Sequence, residues 1–317
     1  MLVPSVLVAL MIFWSGSFAA VRVALRYITP VELIYARFIP SAIMLLIILW
    51  IGVLKRGGRS GFIRSLNRKQ WILLLIASIF QVPAYHFCMN LGGSIIPSSW
   101  VGLVISLNPA SIAVFSVILL KDKIGVLRWL GITLSFAGLG FIAFINNDVT
   151  MGGNELSLLT KLWGMMVSFG AVVSFGISTS LSKNLIRNSS SFKTMAWVII
   201  IGTAWLVPIG NSAFYTKIAN APLELWAAVG YLSAICTVAG FAAWYWAIKR
   251  WTVSRAGVFI YLVPIGALII GNLMFDETLN FSVILGFALV LSGVFIAGRR
   301  EGLPKLTNKS DIEGVSS

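Results

Sequence analysis

Residues 106–123 read SLNPASIAVFSVILLKDK, and residues 261–278 read YLVPIGALIIGNLMFDET. The two stretches align at a shift of 155 residues. Residues that constrain the backbone or carry charge coincide at this shift: Pro109 with Pro264, Asp122 with Glu277, Gly131 with Gly286, and Gly138 with Gly293. Prolines and glycines fix local geometry, so their coincidence carries more weight than matching leucines. The pattern predicts one structural unit that occurs twice.

The composition excludes an ordinary water-soluble protein. Of the 317 residues, 58% are hydrophobic and 11% are charged, and the mean hydropathy is +0.94. Soluble domains are typically about 45–50% apolar and about 25% charged. Apolar runs of 18 or more residues recur along the chain, each long enough to cross a hydrocarbon core of about 30 Å. The sequence predicts an all-α integral membrane protein.

Ten apolar segments are expected to span the membrane. They cover residues 5–25, 31–53, 71–91, 97–120, 126–146, 161–182, 192–210, 224–247, 254–275 and 279–298. The connections after even-numbered segments are basic, and those after odd-numbered segments are neutral or acidic. Cytoplasmic loops hold the excess of Lys and Arg. Both termini are therefore predicted to be cytoplasmic, and the net charge of +14 reflects topology rather than nucleic-acid binding.

Five helices in each unit imply that the two units are oppositely oriented. The first unit is predicted at residues 1–146, an external linker at 147–160, the second unit at 161–298 and a basic cytoplasmic tail at 299–317. Inverted repeats of this kind are typical of secondary transporters, in which two similar halves exchange conformations. The repeat thus indicates transport by alternating access.

The sequence resembles the EamA family of the drug/metabolite transporter superfamily up to about residue 298. The segments FWSGSFAAVRVAL (13–25) and TPVELIYARF (29–38) are similar to the family's first two helices. The duplicated Leu-x-Pro…acidic…Gly…Gly pattern resembles the signature that ends each half. In the charged segment that follows the proline-containing run of each copy, the family usually has Glu after Gly. This chain instead has Lys121-Asp122-Lys123 in the first copy and Asp276-Glu277 in the second. The resemblance implies a ten-helix transporter with a central cavity, often an exporter of amino acids or other small metabolites.

The motifs of enzymes and of ATP-driven pumps are not found in this sequence. It contains no G-x-x-x-x-G-K-[ST] run, no cluster with metal-ligand spacing and one histidine without a nearby acid. We therefore expect no catalytic residues, no metal and no cofactor. Two alternatives to a transporter stay open, an integral-membrane lipid-modifying enzyme and a channel.

No acidic residue lies at the centre of a predicted span. Proton-driven transporters commonly place a carboxylate or a histidine inside the membrane. Downhill transport, or coupling through His86, therefore fits this sequence better than coupling through an acid.

Two arginines are the charges deepest within predicted spans. For Arg37, pairing with Glu32 on the same helix is the favoured interpretation, and for Arg22, snorkelling to the interface. Direct binding of substrate is the alternative for both residues.

Polar and aromatic residues at mid-depth are the candidates for a cavity wall. The predicted substrate-binding set is Trp14, Tyr85, His86, Asn90, Asn108 and Tyr261. Pro109 and Pro264 are predicted to mark corresponding kinks beside the cavity, where freed backbone carbonyls can be satisfied. The run WYWAIKRW, with Trp244, Tyr245 and Trp246, is read as an interfacial aromatic belt.

These patterns together predict a secondary transporter of small organic solutes in a bacterial-type cytoplasmic membrane. Its expected partners are a small-molecule substrate and the lipid bilayer, and it is a monomer or a homodimer.

Overall fold

The computed structural model describes residues 2–54, 66–120, 126–145, 150–151, 154–187, 189–206, 214, 218–251, 256–275 and 281–298. Some side chains inside these segments, including that of Tyr261, lie outside the described part. The two charged segments at 121–123 and 276–277 and the tail from residue 299 also lie outside the described part.

The described chain is helical apart from one short strand pair. In the first half the helices are α1 (Leu2–Ala24), α2 (Pro30–Leu54), α3 (Arg68–Ile79), α4 (Tyr85–Gly93), α5 (Ser98–Ile105), α6 (Asn108–Leu120) and α7 (Val126–Ile145). In the second half they are α8 (Leu158–Arg187), α9 (Ser191–Ala204), α10 (Leu223–Gly230), α11 (Gly240–Arg250), α12 (Leu262–Phe275) and α13 (Phe281–Gly298). Strands β1 (Thr150–Met151) and β2 (Asn154–Glu155) pair antiparallel between the halves.

Six helical segments among the described residues are long and apolar enough to cross a membrane. They are Leu2–Ala24, Pro30–Leu54, Arg68–Gly93, Ser98–Phe115, Leu158–Ile186 and Leu223–Arg250. Shorter apolar helices cover Trp129–Phe141, Ser191–Ala204, Leu262–Phe275 and Ile284–Gly293. Helix α2 exposes Ile43, Ile47 and Trp50, a stripe that lipid can cover and water cannot. The protein is therefore an all-helical, multi-pass membrane protein.

Side-chain caps set where helices begin. At the start of α2, Glu32 and Thr29 exchange reciprocal bonds, with Thr29 N to Glu32 Oε2 at 2.7 Å and Glu32 N to Thr29 Oγ1 at 3.2 Å. Asn67 and Gln70 form the same capping box before α3. Such caps satisfy backbone N–H groups that have no partner in the first turn of a helix.

The two aligned prolines begin helices rather than kink them. A turn at Ser106 and Leu107 separates α5 from α6, and Pro109 lies in the first turn of α6. A 3-10 helix (Val258–Tyr261) precedes α12, and Pro264 lies in the first turn of that helix. In a first turn the missing N–H of proline costs no helical hydrogen bond. The predicted kinks are therefore corrected to a turn before Pro109 and a 3-10 segment before Pro264.

Two helices also widen into π-helical turns. The segment Phe80–Ala84 joins α3 to α4, and Tyr231–Ala239 joins α10 to α11. A shift of 155 residues carries 80–84 onto 235–239, inside the second π segment. Local π turns occur most often at functional sites, because they re-aim the side chains around them.

The packing between the halves is reciprocal. Helix α1 packs on α12 and α8 packs on α5 and α6; α2 packs on the second π segment and α9 on the first. Helix α7 lies along α13, where a Cβ on Gly138 would approach Val290 N to 2.8 Å and one on Gly293 would approach Ser135 N to 2.5 Å. At the 155-residue shift Gly138 corresponds to Gly293 and Ser135 to Val290, so each helix contacts the other through equivalent positions.

Candidate functional site

A central cavity lies where both halves meet. The wall comes from α1, α2, α4, the break between α5 and α6, α8, α11 and the segment that begins α12. Helix α2 contributes Arg37, which is not in the predicted substrate-binding set.

Aromatic rings from both halves form much of the cavity wall. Tyr85 lies with its ring centroid 5.7 Å from that of Phe175, and Phe175 lies 6.0 Å from Trp244. Trp14 continues the series, 5.8 Å from Trp244 and 5.6 Å from Phe241. The Trp14 indole donates to the Cys236 carbonyl at 3.1 Å, which fixes the ring. The wall is thus apolar and held in place by contacts across the halves.

Arg37 carries the charge of the cavity. Its side chain is 4% exposed; Nε donates to Thr237 Oγ1 at 2.8 Å, and the guanidinium lies 5.4 Å from the Phe38 ring centroid. The predicted pairing with Glu32 is not what the structure gives: Glu32 caps the start of α2, and Arg37 turns to the second half of the chain. Thr237 is presented by the second π segment, and its hydroxyl in turn donates to Leu232 O at 2.8 Å.

His86 stands next to Arg37, directly after the first π segment. Its Nδ1 lies 3.5 Å from Arg37 Nη1, a long contact. A guanidinium nitrogen can only donate, so Nδ1 faces it as the acceptor and the ring proton belongs on Nε2. Nε2 is buried and has no hydrogen-bond partner within the described part of the chain. A free donor is therefore left in the cavity wall.

Asn108 begins α6, directly after the turn at Ser106 and Leu107. It is 3% exposed and its side-chain amide hydrogen-bonds the Tyr85 hydroxyl. Its Oδ1 is a buried acceptor without a partner among the residues described. Asn108 lines the cavity although it begins an apolar helix.

The structure brings most, but not all, of the predicted site residues together. Trp14, Tyr85, His86 and Asn108 line the cavity with Arg37. Asn90 does not line it, since Asn90 Nδ2 donates to Pro30 O at 3.1 Å and ties α4 to the start of α2.

The remaining predicted residues lie at the edge of the cavity or away from it. Arg22 lies at the end of α1, 4.3 Å from the Phe275 ring centroid. Pro109 and Pro264 adjoin Asn108 and Val263, which line the cavity. Tyr261 ends the 3-10 helix, and its side chain is outside the described part.

The aromatic-belt interpretation of WYWAIKRW is wrong for two of its residues. Trp244 is 1% exposed and belongs to the aromatic wall series, and Tyr245 is 3% exposed and donates to Ser182 Oγ at 3.0 Å. Trp246 is half-buried, with the Arg250 guanidinium 4.1 Å from its ring centroid. Helical spacing turns one face of this run inward, with Trp244, Tyr245 and Ile248, which hydropathy alone does not reveal.

Sequence reasoning missed Thr237 and Ser17. Ser17 lines the cavity one turn after Trp14 and donates to its carbonyl at 2.6 Å. Thr237 becomes a partner of Arg37 only because a π segment turns it toward α2. The available signal was weak, because small hydroxyl residues within spans usually serve helix packing.

Comparison with known proteins places this architecture in a family. The profile of the EamA-like transporter family matches residues 2–144 and again residues 162–299. The chain belongs to the EamA-like transporter family.

Individual relatives of this EamA-like protein are distant but cover nearly its whole length. An "Uncharacterized transporter" of Archaeoglobus fulgidus is 25% identical, over 91% of this chain and 95% of its own. A "Probable terminal-alkyne amino-acid exporter" of Streptantibioticus cattleyicolor is 23% identical, over 93% and 92%. A crystal structure aligns with a TM-score of 0.61 at 17% identity, covering 93% of this chain and 96% of its own. These relatives are named as transporters, and the crystal structure shares the fold.

Proposed function

We propose that this EamA-like protein is a secondary transporter that exports amino acids or other small organic metabolites by alternating access. The observation that carries the proposal is the cavity between the halves, walled by side chains from both. A site at the interface of two similar units can open to either side as one unit rocks against the other. The name of the amino-acid exporter among the relatives supports the substrate class.

The proposal includes ten membrane crossings arranged as two inverted repeats. Residues 1–146 form the first unit and 161–298 the second, joined by an external linker at 147–160, and the basic tail at 299–317 is cytoplasmic. The reciprocal packing supports this arrangement, because the packing of α1 on α12 has a counterpart in α8 on α6, and that of α2 on the second π segment has a counterpart in α9 on the first. The alternation of basic loops supports cytoplasmic termini in a cytoplasmic membrane.

The groups that face the cavity limit how transport can be driven. The titratable side chains lining its described wall are Arg37, Tyr85 and His86. We propose downhill movement of substrate or coupling through His86, by a protein that needs no cofactor, acts on no covalent bond and functions as a monomer or a homodimer.

The test is flux through proteoliposomes that contain the purified protein. A panel of amino acids and other metabolites is loaded or added outside, with and without a pH gradient. Saturable movement that is selective among the solutes is expected. Its absence across the panel, together with turnover of the vesicle lipids, would show that the protein is an enzyme instead.

A further inference from the structure

The polar groups of the cavity are unbalanced in charge. Arg37 contributes a guanidinium, and no Asp or Glu lines the cavity within the described residues. The acidic residues that the structure describes are Glu32, Glu155 and Glu224, and each lies near the start of a helix or in the short strand pair. A cation held within a membrane protein needs a counter-charge, a polar cavity or both.

The contacts of Arg37 leave its charge uncompensated. Thr237 and His86 are both neutral neighbours, because the Thr237 hydroxyl carries no charge and Nδ1 of His86 faces the guanidinium as an acceptor. These contacts orient the guanidinium through Nε and Nη1. The remaining N–H groups of the fork can serve a planar oxyanion, for which guanidinium geometry is suited.

His86 adds a second donor beside the first. With its proton on Nε2, the ring offers an N–H group that has no partner among the described residues. His86 is 1% exposed, and its ring is held between Phe38, at 4.6 Å between centroids, and Tyr85, at 4.7 Å. A buried donor left unpaired costs free energy, which a bound acceptor removes.

The rest of the wall is apolar. Trp14, Phe175 and Phe241 carry most of the aromatic surface, and Ile105, Ile260 and Val263 add aliphatic surface. Pockets of this type bind a ligand by apolar contact and orient it through a few polar anchors.

We propose that the cavity recognises its solute by a carboxylate, bound by the Arg37 guanidinium and the His86 Nε2–H, with an apolar body against the aromatic wall. This inference rests on the proposed transport function and deepens it. A solute with the same body but no carboxylate leaves Arg37 uncompensated and is rejected. A solute whose only charge is positive meets Arg37 with like charge and is rejected more strongly.

The test compares L-phenylalanine with L-phenylalaninamide, in which a neutral amide replaces the carboxylate. Flux of each is measured in proteoliposomes, and binding of each is measured by thermal stabilisation of the purified protein. The wild type is expected to move and bind phenylalanine at least tenfold better than the amide. In Arg37→Gln this preference should fall to about one, and in Arg37→Lys it should be partly kept because the charge remains.

Arg250→Gln is the matched control, because it removes an arginine charge from the exposed end of α11, away from the cavity. It should keep the wild-type preference. Membrane abundance and elution volume identify any variant that fails to fold. If Arg37→Gln fails to fold, the preference for phenylalanine over its amide is compared between the wild type and Arg37→Lys instead.

The outcomes separate the inference from the proposed function. Equal transport of both probes by the wild type, unchanged in Arg37→Gln, overturns carboxylate recognition and leaves transport standing. Selective binding of phenylalanine without any flux supports carboxylate recognition and contradicts transport. If the wild type neither binds nor moves phenylalanine, the inference is overturned.

Discussion

At the scale of single residues, burial does not distinguish a site residue from a structural one. Asn108 and Asn90 are 3% and 2% exposed, and both have an unpaired Oδ1 among the described residues. They differ in position. Asn108 lines the cavity beside Tyr85, whereas Asn90 donates to Pro30 O and joins two helices.

Alanine substitutions at these two asparagines should therefore have opposite effects. Asn108→Ala is expected to lower transport per molecule about tenfold or more with near-normal abundance. Asn90→Ala is expected to lower stability by about 1–2 kcal/mol, because the partly buried Pro30 carbonyl loses its donor, with transport per folded molecule retained. Flux normalised to purified protein, with thermal unfolding in detergent, gives both quantities. Equal effects of the two substitutions on transport would contradict the assignment.

The sequence predicted the candidate site residues unevenly, for identifiable reasons. Trp14, His86 and Asn108 could be proposed because polar and aromatic groups are rare at mid-depth in an apolar span. The partner of Arg37 could not be proposed, because Thr237 is 200 positions away in the chain and is presented by a π turn. From sequence spacing, Glu32 on the same helix was the pairing that could be proposed for Arg37. In the structure Glu32 instead caps the start of that helix.

At the scale of helices, pairs of small residues set the crossings between the halves. Ser15 of α1 faces Gly266 of α12, and Ser15 Oγ donates to Val263 O at 3.1 Å. Ser111 of α6 faces Gly176 of α8, and Ser111 Oγ donates to Val172 O at 2.8 Å. Gly266 is the residue 155 positions after Ser111, so one position of the repeat supplies the serine at one crossing and the glycine at the other.

This exchange can be tested by copying one crossing onto the other. Gly266→Ser alone should destabilise the protein by about 1–3 kcal/mol, because its side chain meets Ser15 at close range. Adding Ser15→Gly opens the space and should restore much of the loss, a coupling of about 0.5–3 kcal/mol. Thermal unfolding of the wild type, the two single variants and the double variant measures it. Additive losses would mean that these residues do not share a contact.

The crossing of α7 and α13 gives a second test with a control on the same helix. A Cβ at Gly138 would lie 2.8 Å from Val290 N, whereas one at Gly140 would meet nothing within 4 Å. Gly138→Ala should cost about 1–3 kcal/mol, and Gly140→Ala should be neutral or stabilising, since Ala favours helix by about 1 kcal/mol over Gly. Unfolding temperatures of both variants check this. A harmless Gly138→Ala would contradict the close approach.

At the scale of the whole molecule, the repeat that was visible in the sequence accounts for much of the fold. Pro109 and Pro264 predicted corresponding kinks, but each proline lies in the first turn of a helix, after a turn at Ser106 and Leu107 or after the 3-10 segment Val258–Tyr261. The π segments at Phe80–Ala84 and Tyr231–Ala239 could not be predicted, because Pro83 occurs in the first and no matching proline in the second. Hydropathy likewise locates a membrane span but does not show which side of the helix faces the protein interior. The burial of Trp244 and Tyr245 was therefore missed.

The proposed topology is open to direct labelling. In a variant with Cys88→Ala and Cys236→Ala, single substitutions Ser60→Cys, Asn154→Cys and Ser310→Cys are compared in intact bacterial cells. A membrane-impermeant thiol reagent should label Asn154→Cys from outside, and the other two only after permeabilisation. Labelling of Ser310→Cys in intact cells would contradict a cytoplasmic C-terminus.

The central claim is that the cavity between the halves is exposed to one side of the membrane at a time. Counterflow in proteoliposomes tests it most directly, with labelled L-phenylalanine outside and unlabelled L-phenylalanine preloaded inside. Alternating access predicts a transient accumulation of label above its equilibrium level, which disappears without preloading and in the Asn108→Ala variant. Label that only equilibrates, at a rate that preloading does not change, would contradict alternating access and indicate a continuous pore.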